Sequence, residues 1–230
     1  MGLERSSVPL FARPDTTTDM QIDLSHRIET GMTVYPGDPS VSVEPHATHA
    51  RDGCRVRAAQ LGSHTGTHID APAHVMAEGR TLDTYSVDRF TFDAIRVDCT
   101  DLSGREPITA ADVPDEAADI TIFWTGWDSY WGTDRYLEHP YLTADAAAAC
   151  AERGYAVGVD TLSPDPTSTD NTAEGESSGL QAHHALLGAD NLIIENLCNL
   201  ERTSERFELR AYPMAFGGDG APVRAVGVVE

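Results

Sequence analysis

The chain contains no lysine; all 16 of its strongly basic residues are arginine. That absence excludes lysine Schiff bases, and with them pyridoxal enzymes and lysine aldolases. It also leaves any Walker-type phosphate loop incomplete. Positive charge of any kind is scarce: 37 acidic residues against 16 arginines give a formal charge of −21 over 230 residues. Such a chain repels phosphate backbones and anionic lipid surfaces, so neither nucleic acid nor membrane is an expected partner. The acidity itself reads as a solubilising surface. No apolar run approaches the ~20 residues of a membrane span, and the first residues, MGLERSSVPLFARPDTTTDM, lack a secretory core. A cytoplasmic protein is expected. Cysteine is also sparse. Cys54, Cys99, Cys150 and Cys198 lie far apart with no CxxC pair, so no disulfide framework is expected, only buried thiols.

What remains is enough for one domain: 40% of the residues are hydrophobic. Residues 1–20 read as an N-terminal arm and residues 21–230 as the folded unit. Strands are expected at Ile22–Arg27, Val41–Glu44, Arg55–Leu61, Phe92–Val97, Asp119–Phe123, Ala156–Val159 and Asn191–Leu197. They are apolar or alternating runs bounded by turn residues. Thr143–Gly154 is the clearest helix, with Thr143 as N-cap, an alanine body and Gly154 at the end. A second helix is expected at Leu180–Leu187. Residues 165–179, polar and turn-rich, read as an exposed loop of lid length. The alternation of strands and helices makes the fold class α/β.

Nine histidines are present, and the informative ones lie in His64-Thr-Gly-Thr-His68-Ile-Asp70-Ala-Pro-Ala-His74. Gly66, Pro72 and the β-branched residues disfavour a helix there. In an extended chain His64, Gly66, His68, Asp70 and His74 fall on one side, with Gly66 leaving room for an ion. Imidazoles and a carboxylate on one face make an open site for zinc, manganese or iron. Downstream, Glu195 interrupts the apolar run LIIENL. A buried carboxylate needs a partner, and a cation is one. The adjacent His183 and His184 could each add an imidazole, and spacing does not choose between them.

The HTGTHIDAPAH segment resembles the signature of the metal-dependent cyclase family, which includes bacterial kynurenine formamidases and isatin hydrolases. The resemblance extends from Ile22 to Val229. It takes in the PGD turn at Pro36–Asp38, TGW at Thr125–Trp127, VGVDTLSPD at 157–165, HHALL at 183–187, IIENLCNL at 193–200 and GGDGAPVRAV at 217–226. It implies a swivelling β/β/α fold assembled as a homo-oligomer, dimer or tetramer, and one or two divalent ions per chain, zinc or manganese. By motif position it makes His64, His68 and Asp70 ligands of a first ion, and Asp70 and Glu195 bridging carboxylates. His183 becomes the second-site imidazole, and His74 the catalytic acid/base. Tyr35 stands where the kynurenine formamidases carry a tryptophan that packs on an aromatic substrate. This departure weakens a formamidase assignment without touching that of a metal hydrolase.

The expected activity is hydrolysis of an amide, formamide or lactam C–N bond in a small, aromatic molecule. Metal-bound hydroxide serves as nucleophile and His74 as general acid/base. Trp124, Trp127, Tyr130 and Trp131 could wall an aryl group or simply pack in the core. A cyclase or dehydratase acting on a polyketide-like carbonyl through the same ion is the alternative. A purely structural metal module is disfavoured, because structural sites are closed and this donor set is oxygen-rich with a histidine to spare.

Overall fold

The computed structural model describes residues 19–172, 176 and 179–229. Among the described residues twelve strands follow one another. They are β1 (Met20–Asp23), β2 (Ser42–Ala47), β3 (Val56–Gln60), β4 (His68–Asp70), β5 (Thr91–Asp98), β6 (Pro107–Ile108), β7 (Ile120–Trp124), β8 (Tyr141–Leu142), β9 (Ala156–Val159), β10 (Ile193–Glu195), β11 (Arg206–Pro213) and β12 (Gly220–Val229). Three α-helices accompany them, α1 (His49–Asp52), α2 (Ala144–Arg153) and α3 (Gln181–Gly188). Among the described residues no helix is long and apolar enough to cross a membrane.

Eight strands form one mixed sheet in the order β1-β12-β11-β5-β7-β9-β10-β4. Strand β12 closes it. Its C-terminal half lies between β1 and β11, while Gly220–Pro222 pair with β4 at the other end of the order. The centre, β5-β7-β9-β10, is parallel. Period-2 alternation sorts side chains to two cores. Ile120, Ile122, Ala156, Ile194 and Ile69 pack inside the closed sheet with Phe92, Leu209 and Ala225. Phe123, Val157, Val159 and Ile193 point the other way, under α2 and α3, onto Ala146, Cys150, Leu186 and Leu187. The α/β class and single domain follow as expected.

Helix α2 has the boundaries its sequence predicts. The Thr143 hydroxyl accepts from the Ala146 amide, and Gly154 ends the helix at φ +75°, a conformation that favours glycine. Other expectations need correction. Cys54 is exposed, whereas the other three cysteines are buried, and burial pushes those thiols up to about 12. The 165–179 segment is not uniformly exposed, because Asp165 and Thr167 are buried at its start. Arg105 ties the segment down through the Thr167 carbonyl, Thr169, Thr172 and Glu176. Most of the arm expected over residues 1–20, and part of the lid-length loop, lie outside the described residues.

A buried acid joins the ends of β7 and β9. The Asp160 carboxylate accepts from the Thr125 hydroxyl (2.7 Å), the Thr125 amide (3.0 Å) and the Gly126 amide (2.7 Å). Burial pushes its carboxyl up to about 7, against these hydrogen bonds, which pull it down. Asp160→Asn turns an amide NH2 toward backbone donors. A loss of about 1–3 kcal/mol of stability is expected, measurable by urea unfolding. An unchanged midpoint would contradict this role.

Candidate metal centre

Register builds the centre. In the β4–β10 pair Glu195 stands directly opposite His68, and Ile193 opposite Asp70. Ile69 and Ile194 point into the closed sheet. Their neighbours therefore project to the α3 side, where His68, Asp70 and Glu195 meet. Helix α3 presents His183, which is buried, while His184 on the next position is exposed. The ambiguity left by spacing is thereby resolved geometrically: His183 faces the cluster and His184 faces away.

The extended reading of residues 64–74 holds only for His68–Asp70. Gly66 has φ +62°, and a Cβ there would come within 2.9 Å of the Met32 methyl carbon. Its backbone conformation and this contact, rather than space for an ion, account for the glycine. Pro72–His74 form a 3-10 turn. These two bends, not a continuous strand, bring His64 and His74 back to His68 and Asp70. The His64 and His74 ring centroids are 4.0 Å apart, and those of His64 and His68 are 5.1 Å apart.

Donor atoms converge closely. His64 Nδ1 is 2.7 Å from Asp70 Oδ1. His68 Nε2 is 3.2 Å from both Asp70 Oδ1 and Glu195 Oε2. His183 Nε2 is 3.3 Å from Glu195 Oε1 and 3.6 Å from Asp70 Oδ2. Three groups have ligand atoms within 4.8 Å of one another: His64, His68 and Asp70; Asp70, His183 and Glu195; and, nearer the surface, His64, His74 and Asp219. Several of these approaches are close without being aligned as hydrogen bonds. His68 Nε2, Asp70 Oδ2 and Glu195 Oε1 are buried with no hydrogen-bond partner. Orphaned buried polar atoms are costly, and a divalent cation among them would satisfy all three. The nitrogens facing away are held: His68 Nδ1 by the Gly66 carbonyl at 2.8 Å and His183 Nδ1 by Asp165 at 2.6 Å. Fixing the far nitrogen is how a protein aims an imidazole at a metal. The residues present therefore fit a divalent ion.

Electrostatics agree with the geometry. Burial pulls His64 down, but the charge and hydrogen bond of Asp70 raise it further, to about 9. His68 and His183 are likewise held well above the usual histidine value, against burial, by Asp70, Asp165 and Glu195. Burial raises Asp70, yet His68 and His64 bring it well below the ordinary carboxylate range. An imidazole whose pKa is raised by folding stabilises below about 6.5, and that contribution fades as pH rises through the folded value. Chelated protein is therefore expected to lose thermal stability between pH 6.5 and about 9. Saturating Mn2+ should flatten that slope, because the ion takes the place of the protons. Identical melting profiles with and without chelator would contradict it.

His64, His68, His74, His183 and Glu195, together with Tyr35, Val34, Asp38, Leu162, Ser163, Leu180 and Asn196, line one cleft. Asp70 is fully buried and contacts His64 and His68 of this wall. Burial lowers His74, so it is neutral near pH 7 and able to accept a proton. Burial, then Glu195, raises the Tyr35 phenol, which stays a donor. None of Trp124, Trp127, Tyr130 and Trp131 lines the cleft. Trp127 packs instead with Tyr136 against Leu162, and this cluster, with Tyr130 and Trp131, backs the wall residues Tyr35 and Leu162. Two acids were missed by sequence reasoning. Asp165 caps α3 through the Ala182 and His183 amides, 17 and 18 residues downstream, with no local signal. Asp219 sits in a Gly-rich turn and reaches His64 Nε2 at 3.0 Å.

Comparison with known proteins gives the family and the fold. The family model described as "Putative cyclase" matches residues 22–166. The kynurenine formamidase of Salinibacter ruber is 33% identical over 214 residues, covering 89% of this chain and 95% of that protein. The kynurenine formamidase of Bacillus cereus is 30% identical over 215 residues, covering 91% and 97%. An isatin hydrolase bound to the product analogue thioisatinate superimposes with a TM-score of 0.82 at 21% identity, over 92% of each chain. A Bacillus stearothermophilus protein described as a predicted metal-dependent hydrolase gives 0.73 at 25% identity, over 93% and 100%. The swivelling β/β/α architecture that the motifs imply is the one found. By family model, identity and fold together, the chain belongs to the cyclase family of metal-dependent hydrolases.

Proposed function

We propose that the protein hydrolyses a C–N bond other than a peptide bond, in an amide, formamide or lactam of a small aromatic substrate. The observation that carries this reading is the convergence of His64, His68, Asp70, His183 and Glu195, with three orphaned donor atoms, beside a neutral His74 in one cleft. The names of the formamidase and isatin hydrolase relatives support the same bond class. In this reading those five residues hold one or two divalent ions, zinc or manganese, since mixed imidazole and carboxylate donors accept either. A bound ion supplies Lewis acidity toward a carbonyl oxygen and makes a water it holds more acidic.

The chain's own groups do the rest. His74 Nδ1 is turned toward Asp219 at 3.5 Å, so Nε2 is the nitrogen that takes a proton from the attacking water and delivers it to the leaving nitrogen. Val34, Tyr35, Leu162 and Leu180 give an aryl ring an apolar seat, and Ser163 and Asn196 offer polar contacts. The charged groups on the wall besides the histidines are Asp38 and Glu195, with no arginine among the described lining residues. An uncharged substrate suits that wall better than a carboxylate. The enzyme works in this account as a cytoplasmic homo-oligomer.

The test is a panel of isatin, simple aryl formamides and N-formylkynurenine with metal-depleted protein and added Mn2+ or Zn2+. Ion-dependent turnover is expected, with oxygen from labelled water in the carboxylate product and uncharged substrates ahead of N-formylkynurenine. Ring closure or dehydration without water uptake would place the protein with the cyclases instead.

A further inference from the structure

We propose that Asp219 is a positioning residue that holds the candidate ligand His64 and the proton shuttle His74 in a fixed relation. Its effect on catalysis rests on the hydrolase reading above; its geometry does not. The Asp219 carboxylate places Oδ2 3.0 Å from His64 Nε2 and 3.5 Å from His74 Nδ1. No other described acid is that close to both rings. The backbone is committed to the same task. The Asp219 carbonyl accepts from the Ala71 amide at 2.8 Å, and Gly220 pairs in register with Asp70. Gly220 must be small, because a Cβ there would lie 2.6 Å from His64 Cε1. Asp219, just before β12, and Gly220, its first residue, thus fix His64 from two sides, by a carboxylate on its edge and by bare backbone against its ring.

The pattern completes one already visible. His68 and His183 each turn one nitrogen to the cluster and have the other fixed, by the Gly66 carbonyl and by Asp165. His64 does the same with the nitrogens exchanged. Nδ1 faces Asp70, and Nε2 is fixed by Asp219. Asp219 holds the His64 nitrogen opposite the one that faces Asp70, so it acts through that imidazole; an ion held by His64, His74 and Asp219, whose ligand atoms also converge, is the alternative that an anomalous map tests. Its contact with His74 is what the other two anchors lack.

The test compares Asp219→Ala and Asp219→Asn with the parent. The Asp219 side chain is 42% exposed, so both variants are expected to fold, with thermal melting as the check. Calorimetric titration with Mn2+ should show the alanine variant weakened about 10–100-fold. Its kcat should fall by about tenfold or more with KM within about twofold, as expected for loss of a positioning carboxylate. Asparagine keeps one acceptor oxygen and should recover part of both losses. An alanine variant within about twofold of the parent in affinity and kcat overturns the proposal. So does an anomalous peak in Mn2+-soaked parent crystals bonded directly to Asp219. If the parent takes up neither Mn2+ nor Zn2+ and turns over none of the panel, the hydrolase reading fails separately. Metal-free crystal structures of the parent and Asp219→Ala then decide. A His64 ring swung away from Asp70 in the variant supports positioning, and an unmoved ring refutes it.

Discussion

Replacing Asp70 by asparagine is expected to weaken ion binding by on the order of 10²–10³-fold, with turnover falling in parallel. Asp70 is the carboxylate shared by both halves of the centre. It belongs to the group with His64 and His68 and to the group with His183 and Glu195. Its Oδ1 lies 2.7 Å from His64 Nδ1 and 3.2 Å from His68 Nε2, and its Oδ2 has no hydrogen-bond partner. Asparagine keeps the shape but removes the charge that binds the two halves. One of its two positions also becomes an NH2 donor facing imidazole nitrogen or cation. The measurement is calorimetric titration of metal-depleted protein with Mn2+ beside steady-state kinetics. Parent-like affinity in Asp70→Asn would show that the two groups do not share an ion through this side chain.

The second large effect is expected at His74. Removing a general acid/base costs about 10²–10⁴-fold in rate. His74→Ala should show that loss in kcat and keep Mn2+ affinity within a few-fold, because its ring lies outside the two groups that share Asp70. The separation from Asp70→Asn is the informative part: one variant loses the ion and with it turnover, the other loses turnover alone. His74 suits the role. It is partly buried on the 3-10 turn after β4, and burial keeps it neutral near pH 7. A fully active His74→Ala would mean that proton transfer runs through another group.

Much of this centre is legible in the chain because it is local. His64, His68, Asp70 and His74 fall within one turn–strand–turn segment, and their types name the chemistry. Glu195 is legible for a different reason, as an acid inside an apolar run. What the sequence cannot give is that Glu195 lies opposite His68. That depends on the β4–β10 register across 127 residues. Gly66 is illegible for a related reason: period 2 does not run through the bend that its own positive φ creates. Asp165 and Asp219 were invisible because each lies in a turn and meets its histidine only after α3 and β12 are in place. His183 and His184 show the same limit on a small scale, since helical phase decides between them only once the packed face of α3 is known. Helix α2 stands at the other extreme, with cap, body and stop all written in twelve residues. Closure of the sheet through β12 lies at the far end of the range, because it requires one strand to serve β11, β1 and β4 in succession.

The centre as a whole stands on a cation sitting among His68, Asp70 and Glu195. Crystals grown with Mn2+ and measured above and below its absorption edge test this directly. The account predicts an anomalous peak about 2.0–2.3 Å from His68 Nε2 and from oxygens of both carboxylates. Well-ordered side chains bridged only by water, with no peak at any Mn2+ or Zn2+ concentration, would contradict it.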